Sequence, residues 1–432
     1  MAELYGSIPR NRPRIVIHGG AGNLSRKNLS PSSRHEYLTS LSRILSIVHP
    51  QLISGELSAL DAAVLAVKLF EDDPLFNAGK GAVFTLDGTN ELEASVMVSR
   101  GQHKRCASGF LLKHVKNPIL FAKELLLRDN PAVERGRQHN CLSGEYAEKL
   151  AEKWGLEIVD QSYFFTERRW QQHLNDLERG KGAMDRAFGE VCVSVDIPDE
   201  ERKYGDVVVE EKEKQAMGPS DDEEEEEPLI WLEEYLPKGT VGCVALDSNG
   251  VIAAATSTGG LTNKVPGRIG DTPTPGAGFW AEEWEVEGQQ GGRENLSTME
   301  SLKQQLTSCL PFSSTPIELT KRHRAVGLSG TGNGDYFLRL AACHNITSRC
   351  RFGGRSLKQA ALEVCGLGGE MERAGEARNN ADGAVIGIDE EGQVIMEMNC
   401  GGCFRGTVDL EGRVLVAAYA DEPLEEWVRL KL

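Results

Sequence analysis

Three things are scarce in this 432-residue sequence. No apolar run approaches the roughly 18 residues that a membrane-spanning helix needs. The first stretch, MAELYGSIPRNRPR, lacks the apolar segment of a secretory signal. Positive charge is in deficit, with 48 Lys and Arg against 65 Asp and Glu and a formal net charge of −17. Surfaces that bind nucleic acid or anionic membranes need clustered cations, so neither partner is expected. Part of the excess sits in one run, Asp221 to Glu227, which reads as a solvated spacer. The ten cysteines are scattered, which fits reduced thiols in a cytoplasmic protein better than a disulfide framework. Cys400 and Cys403 have C-x-x-C spacing, but no second pair or histidine couple accompanies them to complete a zinc site. Buried thiols are expected there.

What is present is material for a core. Hydrophobic residues make up 40% of the chain, too many for a disordered one. Arg14 to Ile17 reads as a buried strand running into the loop His18-Gly19-Gly20-Ala21-Gly22. Leu38, Leu41, Leu45 and Val48 recur at helical spacing. Ser58 to Phe70 reads as a helix with a Ser58/Asp61 capping box, and Pro74 prevents its continuation. Asn117-Pro118 opens another helix, with Asn as N-cap. Glu145 to Trp154 is a fourth, stopped by Gly155. A further helix is expected from Asp335 to Cys343. Charge and weak periodicity predict a flexible linker over about 172–237 and a polar insert over about 282–321. Three hairpins are expected: TVGCVAL/VIAAATST, AVIGID/QVIMEM and GTVDL/RVLVAAY. Helices and strands together point to stacked helix and sheet layers.

The first hairpin carries a chemical suggestion. A four-residue turn at Asp247 to Gly250 pairs Leu246 with Val251 and puts Thr240 opposite Ser257, next to Thr258. Threonines are common in strands, so the pairing alone assigns no chemistry. Gly239 adds weight, because a residue without Cβ leaves its carbonyl open to attack. A cut after Gly239 would give Thr240 a free α-amine, whose reference pKa of about 7.7–8.0 suits it to take a proton from its own hydroxyl.

Five segments, IVIHGGAG, PLFNAGKGAVFT, SYFFTERRW, GTVGCVALDSNGVIAAATSTGGLTNKVPGRIGDTPTPGAG and CFRG, carry a resemblance. They are similar to the plant-type asparaginase/isoaspartyl-peptidase family of N-terminal nucleophile hydrolases. The resemblance implies an α+β fold, a four-layer αββα sandwich. One domain would be built jointly by residues 1–239 and 240–432 after self-cleavage between Gly239 and Thr240. It implies Thr240 as nucleophile, held in register by Thr258. Arg268 and Asp271 would grip the α-carboxylate and α-ammonium of a substrate amino acid. Thr331 and Gly332 would form the oxyanion hole. Asn77 would position the site.

The same resemblance implies that backbone carbonyls of Phe70, Glu71, Asp73, Phe76, Ala78 and Lys80 hold a structural sodium ion. No cofactor is expected for catalysis. The partners are a small-molecule or dipeptide substrate and a second cleaved protomer in a homodimer. The expected reaction is hydrolysis of the asparagine side-chain amide or of the isopeptide bond in a β-aspartyl dipeptide. Rival readings are a glycosylasparaginase, a taspase-like endopeptidase and an unprocessed binding homologue. Gly239 in place of Asp counts against the first two, and Asp271 against the second. Departures from the family pattern are Glu93 in place of Asp, Ser329-Gly330 before Thr331, and Cys400 to Cys403 along the site wall.

Overall fold

The computed structural model describes residues 12–100, 106–128, 139–188, 239–288, 320–375 and 381–427. Its strands are β1 (Arg14–Gly22), β2 (Leu92–Val98), β3 (Cys106–Leu112), β4 (Cys141–Ser143), β5 (Val241–Leu246), β6 (Ile252–Thr258), β7 (Phe279–Gly288), β8 (Thr320–Gly332), β9 (Gly383–Asp389), β10 (Val394–Met398), β11 (Gly402–Val408), β12 (Val414–Tyr419) and β13 (Glu425–Glu426). They form two sheets, a nine-stranded one ordered β13-β12-β11-β1-β5-β6-β2-β3-β4 and a four-stranded one ordered β10-β9-β8-β7. In the larger sheet β1 lies between β11 and β5. Strands from before and after Gly239 are thus laced into one ladder.

Helices α1 (Pro31–Ser54), α2 (Ala59–Glu71) and α3 (Pro118–Arg128) pack on the nine-stranded sheet. Their shared core holds Tyr37, Leu41, Phe70, Phe76, Phe121 and Phe404. Helices Ala342–Arg351 and Leu357–Cys365 pack on the four-stranded sheet, around Phe337, Ile346, Leu357, Val364 and Met371. A third core has Val16, Val244 and Ile252 from the large sheet against Phe279, Ile386 and Ile388 from the small one. Burying such side chains contributes roughly 1.5–3 kcal/mol each. No helix among the described residues is long and apolar enough to cross a membrane.

Local chemistry explains the element ends. Ser30 caps α1, with Pro31 in the first turn, and Gly55 ends it at φ 79°. The Ser58 hydroxyl accepts from Asp61 N–H and donates to Asp61 Oδ2 at 2.7 Å, so α2 begins where expected and ends at Glu71. Helix α4 (Gly144–Lys153) stops before Gly155, at φ 81°. At the start of α3 the Asn117 amide donates to Asp72 Oδ1 at 2.9 Å, and the Ile119 N–H is taken by the carboxylate of Glu71 at 3.0 Å.

Four expectations need correction. The first hairpin pairs Leu246 with Ile252 and Val241 with Ser257, one residue away from the predicted register. Asp247 closes a longer turn: its N–H donates to Val251 O, and its carboxylate accepts from the N–H groups of Asn249 and Val251. The linker does not begin at 172, because α5 (Glu167–Phe188) continues through that point. Its remainder, with the acidic run, lies outside the described residues. The insert is narrower than 282–321, since β7 extends to Gly288 and β8 starts at Thr320. The helix predicted from Asp335 to Cys343 is broken at Ala341, φ 44°, into Gly334–Leu340 and Ala342–Arg351.

The loop after α2 is wound tightly. A Cβ on Gly79 would stand 2.3 Å from Glu71 O, and one on Gly81 would stand 2.1 Å from Phe76 O. Only glycine fits at either place. The carbonyls of Phe70, Asp73 and Ala78 accept backbone N–H groups within the same loop. Arg169 grips it from α5, with Nε donating to Gly81 O at 2.8 Å.

Candidate active site

The mouth of the site is where β5, β6, β8 and the end of β1 meet. Thr240 directly precedes β5 and is buried. Continuing the observed register by one step sets it opposite Thr258, on the same side of the sheet. The Thr258 hydroxyl accepts from Gly260 N–H at 3.0 Å. The hydroxyl that meets Thr240 Oγ1 is that of Thr272, at 2.9 Å. Thr272 is itself held, because its carbonyl accepts the Ser95 hydroxyl at 2.6 Å.

The carbonyl of Thr240 is fixed from below by His18. Nδ1–H donates to Thr240 O at 2.9 Å, so neutral Nε2 accepts from the Ser329 hydroxyl at 2.7 Å. Complete burial pushes the His18 pKa down to about 3, against the raising effect of the Thr240 contact. The imidazole is neutral at ordinary pH and serves as a fixed donor. Gly242 makes room for it, since a Cβ there would lie 2.1 Å from Ser329 Oγ and 2.4 Å from His18 Nε2.

Gly239 is equally confined. A Cβ on it would stand 2.5 Å from Thr331 Oγ1 and 2.7 Å from Ala21 N. The Thr331 hydroxyl therefore lies against the residue that precedes Thr240. It accepts from Ala21 N–H at 3.2 Å, where β1 bulges between His18 and Ala21. Gly332 has φ 137°, and a Cβ there would stand 2.3 Å from Asp382 O. Asn77 serves the neighbouring backbone. Its amide donates to Gly260 O at 2.8 Å and its Oδ1 accepts from Val83 N–H at 3.0 Å, tying the turn after Thr258 to the loop after α2.

A charged group of residues closes the other side. Asp271 is buried, and burial pushes its pKa up to about 7 despite the opposing pull of Arg268. Its Oδ2 has no hydrogen-bond partner among the described residues. Asp271 Oδ1 and Arg268 Nη2 both converge on Gly334, where a Cβ would lie 2.2 Å and 3.2 Å from them. Arg268 Nη2 pairs with Asp335 Oδ1 at 3.0 Å. Glu93 accepts from Gly270 N–H at 3.0 Å, a reach that helps fix the Arg268–Asp271 loop. Burial raises its pKa, and Lys264 and Arg268 oppose this. Cys400 and Cys403 stand as buried thiols beside Ala21. Burial pushes Cys400 up to about 11 and raises Cys403 as well, so neither is a thiolate.

The expected residues thus fall into one region: Gly239, Thr240, Thr258, Thr331 and Gly332 around the Gly239–Thr240 bond, with Arg268 and Asp271 meeting at Gly334. Sequence reasoning missed His18, Ser329, Thr272 and Asp335. All four lie in the stretches that carry the expected residues, HGGAG, GRIGDT and SGTGNGD, but nothing in their spacing tells which hydroxyl, carboxylate or ring faces which.

The asparaginase family's sequence model matches residues 11–286 and 322–416. The chain is similar to a putative isoaspartyl peptidase/L-asparaginase of Dictyostelium discoideum, 33% identical over 92% of this chain and 93% of that one. It is 33% identical to the isoaspartyl peptidase of Escherichia coli strain K12, over 90% and 91%. With a probable isoaspartyl peptidase/L-asparaginase 2 of Arabidopsis thaliana it shares 30% identity over 94% and 98%.

Proposed function

The chain belongs to the asparaginase family, and from that premise we propose that it is a self-processing threonine amidohydrolase. Its substrates are L-asparagine and β-aspartyl dipeptides. The observation that carries this reading is the crowding of Gly239 and Thr240 by Thr272, Thr331 and Ala21 at the end of a buried hairpin.

In processing, Thr240 Oγ attacks the Gly239 carbonyl carbon. The peptide C–N bond breaks, its nitrogen takes the hydroxyl proton, and water hydrolyses the resulting ester. Thr240 is left with a free α-amine, suited by its reference pKa of about 7.7–8.0 to act as base near neutral pH. In turnover the same oxygen attacks the side-chain carbonyl carbon of the substrate. The α-amine takes the hydroxyl proton and passes it to the leaving nitrogen. Ammonia or the second amino acid departs, and water releases aspartate from the acyl-enzyme. Thr331 and the Gly332 N–H hold the oxyanion, Thr258 keeps the nucleophile in register, and Asn77 supports the turn after Thr258. Arg268 and Asp271 bind the α-carboxylate and α-ammonium. The buried Oδ2 of Asp271, without a hydrogen-bond partner among the described residues, supports that role, because a buried carboxylate needs a partner.

The reading includes a four-layer αββα sandwich made as one domain by both fragments. Three cores between the helices and the two sheets support it, as does the lacing of β1 between β11 and β5. It also includes a homodimer of cleaved protomers, which sedimentation would test. A structural sodium ion fits the loop after α2, where glycines leave the Glu71 and Phe76 carbonyls room and each carbonyl oxygen has a second lone pair. Its carbonyl ligands would come from Phe70, Glu71, Asp73, Phe76, Ala78 and Lys80. Melting at equal ionic strength in sodium and choline chloride tests it, with a higher midpoint expected in sodium.

A substrate panel on fully processed protein tests the function. Aspartate should appear from asparagine and from β-aspartyl-leucine, while β-aspartyl-leucine blocked at its α-amine should release no leucine. Cleavage of the blocked peptide at the same rate would instead indicate an endopeptidase.

A further inference from the structure

We propose that Asp335 is a positioning residue. Its carboxylate holds the Arg268 guanidinium in the orientation that receives a substrate α-carboxylate, and so sets affinity for free amino acids. This rests on the reading of Arg268 given above.

Arg268 lies on an exposed loop, although its own side chain is only 18% exposed. Its neighbours Val265 and Ile269 are 64% and 42% exposed. Arg268 Nη2 meets Asp335 Oδ1 at 3.0 Å. The position of Asp335 is itself determined. It lies in the first turn of helix Gly334–Leu340, whose N-cap Asn333 accepts from Asp335 N–H through its side chain. Asn333 N–H is anchored in turn to Asp382 O at 2.7 Å. A backbone clamp therefore fixes the position of the Asp335 backbone, and its carboxylate reaches the guanidinium from there.

The guanidinium is also confined by space. Nη2 lies 3.2 Å from where a Cβ on Gly334 would be, and Nη1 lies 2.8 Å from where one on Gly270 would be. An arginine side chain has five donors in a planar fork. One N–H on Nη2 goes to Asp335; among the described residues no other hydrogen bond is made by the guanidinium, so the rest can meet an incoming carboxylate beside Asp271.

Two effects of Asp335 oppose each other. Its negative charge repels the substrate carboxylate, and its grip reduces the rotamer freedom that Arg268 loses on binding. The Asp335 side chain is 52% exposed, so solvent weakens the repulsion, as it weakens any contribution of the pair to stability. Arginine has much rotamer freedom to lose, and pre-ordering it lowers the cost of binding. The grip is the larger effect.

The test is steady-state kinetics on fully processed Asp335→Ala and Asp335→Glu proteins, with the rate of self-cleavage measured beside them. Asp335→Ala should raise KM for asparagine about tenfold, with kcat within about twofold and self-cleavage unchanged. Asp335→Glu should restore KM to within about threefold. A KM in Asp335→Ala that matches the wild type overturns the proposal and leaves the assigned function standing. So does a joint fall in kcat and self-cleavage, which would indicate a structural role. A fully processed wild type inert towards asparagine and β-aspartyl dipeptides overturns the assigned function, and the proposal with it.

Discussion

The side-chain hydroxyls of Thr240 and Thr272 stand 2.9 Å apart, both buried, in the uncut chain. The hydroxyl of Thr258, which the resemblance placed beside the nucleophile, is bonded to Gly260 N–H. Thr272 is therefore the residue whose loss should be felt first at Thr240. Thr272→Val keeps the shape and removes the hydrogen bond, which is worth about 0.5–1.5 kcal/mol, or roughly two- to thirteenfold in rate. Self-cleavage and kcat should both slow by that factor, and Thr272→Ser should restore them. Wild-type rates in Thr272→Val would show that the contact is only packing.

Asp271 should shape the pH profile. Burial raises its pKa to about 7, so below that pH the free protein has no negative charge there for a substrate ammonium. The α-amine of Thr240 must also be neutral to act as base. Two deprotonations then limit kcat/KM, which should rise with a slope of about two in log units well below pH 7. Asp271→Asn should be slower by roughly one to two powers of ten and should rise with a slope of about one. An unchanged slope in the mutant would remove Asp271 from the binding step.

Glu71 offers a test of stability. Complete burial pushes its pKa up from 4.5 to about 8, although the Ser257 hydroxyl at 2.7 Å and the Ile119 N–H at 3.0 Å favour the charged form. The folded protein keeps a proton that the unfolded chain releases from about pH 4.5. The stability it contributes is complete below that pH and is lost as pH rises through about 8. Glu71→Gln should match the wild type near pH 4.5 and exceed it by roughly 2–4 kcal/mol at pH 8. Urea unfolding across this range in choline chloride, with no sodium charge beside the carboxyl, measures the difference. A difference that does not vary with pH contradicts the assignment.

Much of this was readable before any coordinates. The caps at Ser58 and Gly155 state their helix ends in local chemistry. The motif residues Thr240, Arg268, Asp271 and Thr331 were picked out by the stretches that carry the resemblance. The register of the first hairpin was not readable, because the Asp247 side chain bonds two N–H groups and lengthens the turn. A one-residue shift exchanges the partner of Thr240 from Ser257 to Thr258. Strand β7 was hidden by its acidic residues. Trp280, Trp284 and Val286 do alternate along it and pack against one core, but Glu283 and Glu285 between them made the segment look like a polar insert. Helix α5 was masked in the same way by charge. Thr272 and Asp335 depend on loops that meet only in three dimensions, and no spacing in the chain records such a meeting.

The central claim is that Gly239–Thr240 is cut by Thr240 itself, and intact mass with N-terminal sequencing of the purified protein tests it directly. The wild type should resolve into two fragments, the smaller beginning Thr-Val-Gly-Cys, while Thr240→Ala stays one chain. A wild type that remains a single chain after long incubation, or a Thr240→Ala protein cut at the same bond, would contradict the account.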